Sequence, residues 1–192
     1  MNPSDKVAFL ALIDDDPHKL MQLLEFENET NLFLSLKDVE TPPLFHDSPP
    51  LISIAIYLEA FKCISALLIH SSNLTITDSK GRLPIHFAAA CNQISTLAIF
   101  QTQGADLAAV DSSHRNILHY ATLFDHFSLA KWIIAQQLPL KMEDSSLFTP
   151  LHFAVERSNY DLVSYLLSLP NIQQTKTESG WTPLLFAAKS NK

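Results

Sequence analysis

The segment Thr149–Ala154, TPLHFA, places a histidine between a leucine and a phenylalanine, directly behind a threonine–proline pair. Threonine before proline is a helix-start signal. The hydroxyl can accept free backbone N–H groups, and proline in the first turn lacks an N–H that would have no intrahelical partner anyway. A histidine just inside such a start could carry chemistry or could be a hydrogen-bonded core residue. Repetition along the chain decides between the two.

Aligned on its proline, the segment recurs as SPPLISIAI with Pro50, RLPIHFAAA with Pro84, RNILHYATL with Ile117, FTPLHFAVE with Pro150 and WTPLLFAAK with Pro183. The steps are 34, 33, 33 and 33 residues, and the additional residue of the first step is expected in the YLEAF turn, residues 57–61. A second apolar segment follows in the first four units: CISALLI, TLAIFQTQGADL, LAKWIIAQQL and DLVSYLLSL. Two short amphipathic segments per 33 residues make a helix–turn–helix unit with a connector. The chain has only 3 glycines. Gly81 and Gly180 stand three residues before Pro84 and Pro183, and Gly104 lies 20 residues after Pro84, where a helix C-terminus is expected.

This pattern resembles the ankyrin repeat family, whose unit of about 33 residues carries T-P-L-H-x-A at the start of its first helix. The resemblance covers Ser48 to Lys192 and implies an all-α solenoid of stacked helix–turn–helix units with finger-like connecting loops. Units are expected at about 48–81, 82–114, 115–147 and 148–180, with a partial one at 181–192. Residues 1–47 read as a degenerate N-terminal capping repeat, with helices at about 5–13 and 18–26, and a long connector containing Pro42 and Pro43.

Composition narrows the function classes. Of the 192 residues, 47% are hydrophobic and 17% charged, which suits one globular domain. A net charge of -7 argues against binding nucleic acid or an anionic membrane, and no apolar run is long enough to insert into a bilayer. The first residues, MNPSDKVAFLALIDDDP, lack a basic region and a cleavage-type site, so an intracellular location is expected. Cys63 and Cys91 lack metal or redox spacing. The run Asp14-Asp15-Asp16 precedes Pro17 and suits the positive end of a helix better than a cation site. No catalytic, cofactor or metal-binding motif is present, and a non-enzymatic protein is expected.

His86, His119 and His152 occupy one phase of the repeat, with Ile52 and Leu185 read at that phase in the outer units. Histidines one unit apart are spread along a stack rather than converging on a metal, so a structural role is expected, donating to the next unit's loop. Thr149, Thr182 and Asn116 are placed to cap their helices, whereas Leu83 is not. Leu67, Leu68, Ile99, Phe100, Trp132, Ile133, Leu166 and Leu167 are expected to fill the space between units. Turns that would take glycine carry His114 and Leu147 in the fingers, and Asn92, Asp125 and Ser158 between helices.

The resemblance also implies a partner protein docked on a concave face made by finger tips and first helices. Carried onto this chain, the first-helix row is Phe87, Tyr120, Phe153 and Phe186, with Ser53 in the first unit, and these aromatics either line that face or pack on their neighbours. The tips contribute Lys80, Arg82, Arg115, Phe148 and Trp181, which favours an apolar partner with a few acidic residues. The last unit lacks a second helix, so the chain is expected to be a monomeric piece of a longer protein. A scaffold for protein–protein interaction is the leading expectation. The alternative is a regulatory module of a larger enzyme or membrane channel whose active part lies beyond residue 192.

Overall fold

The computed structural model describes residues 3–27, 47–70, 74–138, 143–169 and 175–189. Among them are eleven helices and no strand: α1 Pro3–Ile13, α2 Pro17–Glu27, α3 Leu51–Tyr57, α4 Phe61–Ile69, α5 Pro84–Ala90, α6 Ile94–Thr102, α7 Ile117–Leu123, α8 Phe127–Ala135, α9 Pro150–Glu156, α10 Tyr160–Leu167 and α11 Pro183–Lys189. The long connector with Pro42 and Pro43 lies almost wholly outside the described residues. So do the final residues 190–192.

First helices α3, α5, α7, α9 and α11 pack side by side, and α4, α6, α8 and α10 each pack on the first helix of their own unit. The helices of these units are seven to nine residues long, too short to persist alone in water. Stacking therefore carries the stability.

The repeat is stricter than alignment on proline suggests. First helices begin at Leu51, Pro84, Ile117, Pro150 and Pro183, each 33 residues after the last. Pro50 is not the counterpart of Pro84. It holds the N-cap position of Leu83, Asn116 and Thr149, with an extended backbone at φ -57 and ψ 150. No residue is inserted in the YLEAF turn: Glu59 has positive φ at the same place as Asn92, Asp125 and Ser158. In the first unit Ser53, not Ile52, thus takes the histidine phase, and Ile54, not Ser53, takes the aromatic phase.

Caps follow the side chains available. Asn116 Oδ1 accepts from Leu118 and His119 N–H, and Thr182 Oγ1 from Leu185 N–H. Leu83 offers no side-chain cap, as expected. Thr149 departs from expectation, since its hydroxyl contacts His152 Nδ1 at 2.9 Å and no backbone N–H reaches it.

The finger turns depend on a buried aspartate the motif reading overlooked. Asp78 Oδ1 accepts from the N–H groups of Lys80 and Arg82 at 2.9 and 2.8 Å. Asp111 does the same for Ser113 and Arg115, and Asp144 for Ser146 and Phe148. In the last finger Thr177 Oγ1 accepts from Trp181 N–H. Successive fingers are then tied by backbone bonds: Ser79 N–H to Asp47 O, Ser112 to Lys80, Ser145 to Ser113, and Glu178 to Ser146. These rows also run at 33-residue steps.

Between units, Leu67, Phe100, Ile133 and Leu166 are buried. Ile99 and Leu167 are instead exposed, because adjacent helical residues point about 100° apart and only one of each pair can face inward. At the last unit Leu184 and Leu185 are exposed beside an apolar groove lined by Leu151, Val155, Val163, Leu167, Pro183 and Ala187.

His114 and Leu147 have φ of 58° and 61° at the finger position where Gly81 and Gly180 have 70° and 78°. The left-handed conformation costs a residue with a Cβ about 1 kcal/mol. Leu147→Gly is therefore expected to raise unfolding free energy by about that amount in urea titrations. Gly81→Ala should lower it by more, because a Cβ there would lie 2.6 Å from Ser112 Oγ and 3.0 Å from Ser112 N.

Candidate functional site

The three histidines are fully buried. His86 Nδ1 accepts from Leu83 N–H at 2.9 Å, so the ring proton sits on Nε2, which donates to Ala109 O at 3.2 Å on the connector to the next unit. His152 repeats the arrangement, accepting from Thr149 N–H and donating to Trp181 O. His119 Nδ1 accepts from Asn116 N–H. Neutral imidazole is the form that fits these partners. Burial, opposed in part by nearby aspartates, holds the pKa of His86 and His152 below the ordinary value.

The rings also explain the aromatic row. His86 lies 5.3 Å from the Tyr120 ring and His119 lies 6.1 Å from Phe153, so these two histidines pack on the aromatic of the next unit, whereas His152 lies 5.5 Å from Phe148. Phe87, Tyr120 and Phe153 are only 1%, 6% and 4% exposed. The expectation that they line an open face is corrected. Three residues into a seven-residue helix the side chain points between neighbouring first helices, where the stack closes over it. Phe186 in the last helix is half-buried.

The basic tips are likewise committed within the chain. Arg82 is buried, bonded to Asp78 and to Asp47, and its guanidinium lies over the Phe87 ring. Lys80, though exposed, is 2.8 Å from Asp47. Arg115 reaches forward to Asp144 at 3.0 Å and stacks on Phe153. It reaches forward because Tyr120 Oη already donates to Asp111 Oδ2 at 2.8 Å, the oxygen whose counterpart on Asp78 receives Arg82. The basic grouping is thus internally compensated rather than free for an acidic partner.

What remains open is a second row that the sequence reading missed. It runs along the last residue of each first helix and the one after: Tyr57 and Leu58, Cys91 behind the buried Ala90, Leu123 and Phe124, Glu156 and Arg157. Tyr57 and Phe124 are 39% and 42% exposed, and Leu58, Cys91 and Leu123 are half-buried. At the finger end, Phe148 and Trp181 are half-buried. Phe148 packs on Phe153 and Phe186 at 5.6 and 6.0 Å, and Lys189 lies over Trp181. The missed row was findable, since it is the apolar position nearest each turn.

The acidic run works as helix caps. Asp16 Oδ1 accepts from the N–H groups of His18 and Lys19 at the start of α2, and the Asp15 carboxylate accepts from Lys62 and Cys63 N–H at the start of α4. Among the described residues no group of three His, Cys, Asp or Glu could hold a metal ion, and no helix is long and apolar enough to cross a membrane. Burial, reinforced by Asp15, pushes the Cys63 thiol up to about 12, and burial with Glu59 pushes Cys91 up to about 11. Both are unreactive thiols at neutral pH.

Two outcomes follow for stability. His86 and His152 have folded pKa values below the unfolded one, so the unfolded chain takes up protons that the folded chain refuses. Their contribution is whole above about pH 6.5 and falls as the pH drops, by at most about 1.4 kcal/mol per pH unit per histidine. Thermal melts between pH 7.5 and 5 check this. Tyr120→Phe leaves Asp111 Oδ2 without its buried donor and should cost about 1–3 kcal/mol in the same assay.

No curated protein matches the chain. The family described as ankyrin repeats (3 copies) matches residues 51–144 and 118–192. This match spans the five first helices and the four complete units whose geometry is given above. With its 33-residue register, buried histidines and stacked helix pairs, the chain belongs to the ankyrin repeat family.

Proposed function

We propose that this chain is a non-enzymatic module that binds another protein across the concave face of its stack. Ankyrin repeats in general are protein–protein interaction modules. The observation that carries the reading here is the row at the turn end of the first helices. Tyr57, Leu58, Cys91, Leu123 and Phe124 keep apolar area open at equivalent positions of three consecutive units. Aromatic side chains so placed bury much area at little entropic cost and are enriched in interface hot spots. The half-buried finger residues Phe148 and Trp181, with Phe186, extend the same contact surface toward the carboxy-terminal units.

Core and contact aromatics differ in what their removal should do. Tyr57→Ala with Phe124→Ala is expected to weaken partner binding by about tenfold or more while cooperative melting stays within a few degrees of the parent. Phe87→Ala or Phe153→Ala is expected to cost about 3–5 kcal/mol of stability instead. Binding that is unchanged in the Tyr57/Phe124 double variant would sink the proposed face.

A further inference from the structure

The row at the turn end of the first helices is flanked by carboxylates, whereas the finger-tip cations are already paired. Ala90 and Cys91 are the smallest members of the row, and the bulkier Tyr57 and Phe124 stand one unit to either side. The row is therefore low in the middle and high at its flanks. Each flank is followed directly by a carboxylate at the inter-helix turn. Glu59 comes after Leu58 and Asp125 after Phe124, both at positive φ and both exposed. Glu59 is near enough to Cys91 to act electrostatically on its thiol. Asp125 receives the side-chain amide of Asn159, a neutral donor that leaves its charge in place.

Among the described residues, several basic side chains are engaged away from these carboxylates. Lys80, Arg82 and Arg115 pair with Asp47, Asp78 and Asp144 on the fingers, and Lys131 lies over the Phe127 and Tyr165 rings. Lys62, the second residue of α4, is exposed and gives its backbone N–H to the Asp15 carboxylate. One unit on, Glu156 and Arg157 share the same register and bring no net charge. The chain as a whole carries -7. Charge at the edge of an apolar contact selects partners of opposite sign and speeds their approach.

We infer that the Tyr57–Phe124 row takes an apolar segment of another protein flanked by basic residues, with Glu59 and Asp125 facing those flanks. The inference rests on the reading of this row as the contact surface, and it reverses the acidic partner that the finger sequence favours. Like charges at the same place exclude acidic segments, so the carboxylates supply selectivity more than raw affinity.

Random displayed peptides of about a dozen residues, selected on the full chain and counter-selected on its Tyr57→Ala/Phe124→Ala variant, test it directly. Peptides that depend on the two aromatics should carry net positive charge around an apolar core. Their binding should weaken with added salt and drop about threefold in Glu59→Gln, with melting unchanged. Enrichment of neutral or acidic peptides that still need Tyr57 and Phe124 would overturn the charge assignment and leave the contact surface standing. Failure to enrich any peptide dependent on the two aromatics would overturn both.

Discussion

Three consecutive fingers of this stack are each organised by a buried carboxylate. Asp78, Asp111 and Asp144 each gather two backbone N–H groups of their own turn onto one oxygen, in a segment with no helix or strand of its own. A buried carboxylate is costly unless fully hydrogen-bonded, and the second oxygen therefore dictates what neighbouring side chains do. Arg82 serves Asp78, Tyr120 serves Asp111, and Arg115, displaced by Tyr120, serves Asp144. With the turns fixed, each finger's backbone can bond to the one before it, and the first helices arrive in register. The histidines then fasten that register from the helix side.

Much of this was legible in the sequence. Proline and histidine at constant spacing disclose the unit and its length. The errors have physical causes. Pro50 resembles Pro84 in kind but not in place, because proline fits an extended N-cap as well as a first helical turn. For Phe87, Tyr120 and Phe153 the sequence leaves interface and packing open, because aromatics are frequent in both, and burial decides for packing. In helices of seven residues that pack on both sides, only the turn end stays open. The aspartates were visible at 78, 111 and 144 with the same 33-residue step as the histidines. They were passed over because loop carboxylates are usually solvated, and sequence spacing alone does not reveal burial.

The separation between buried and open residues gives the chain its functional character. Charged and aromatic side chains packed inside the stack form a frame on which the open side chains stand in fixed register. Tyr57, Cys91 and Phe124 ride on this frame at one register but differ in size from unit to unit, giving a surface with relief. The fold itself implies no particular partner. Shape and charge along that row would set the choice.

The account stands or falls on the finger carboxylates acting as anchors of the whole register. Amide hydrogen exchange of Arg82, Ser112, Arg115, Ser145 and Phe148 tests this most directly, because each N–H is bonded either to a buried aspartate or to the preceding finger. The account predicts that these loop amides exchange only through opening of the stack, as slowly as those of the first helices. Exchange at the rate of unprotected loop amides, with the helices still protected, would contradict it.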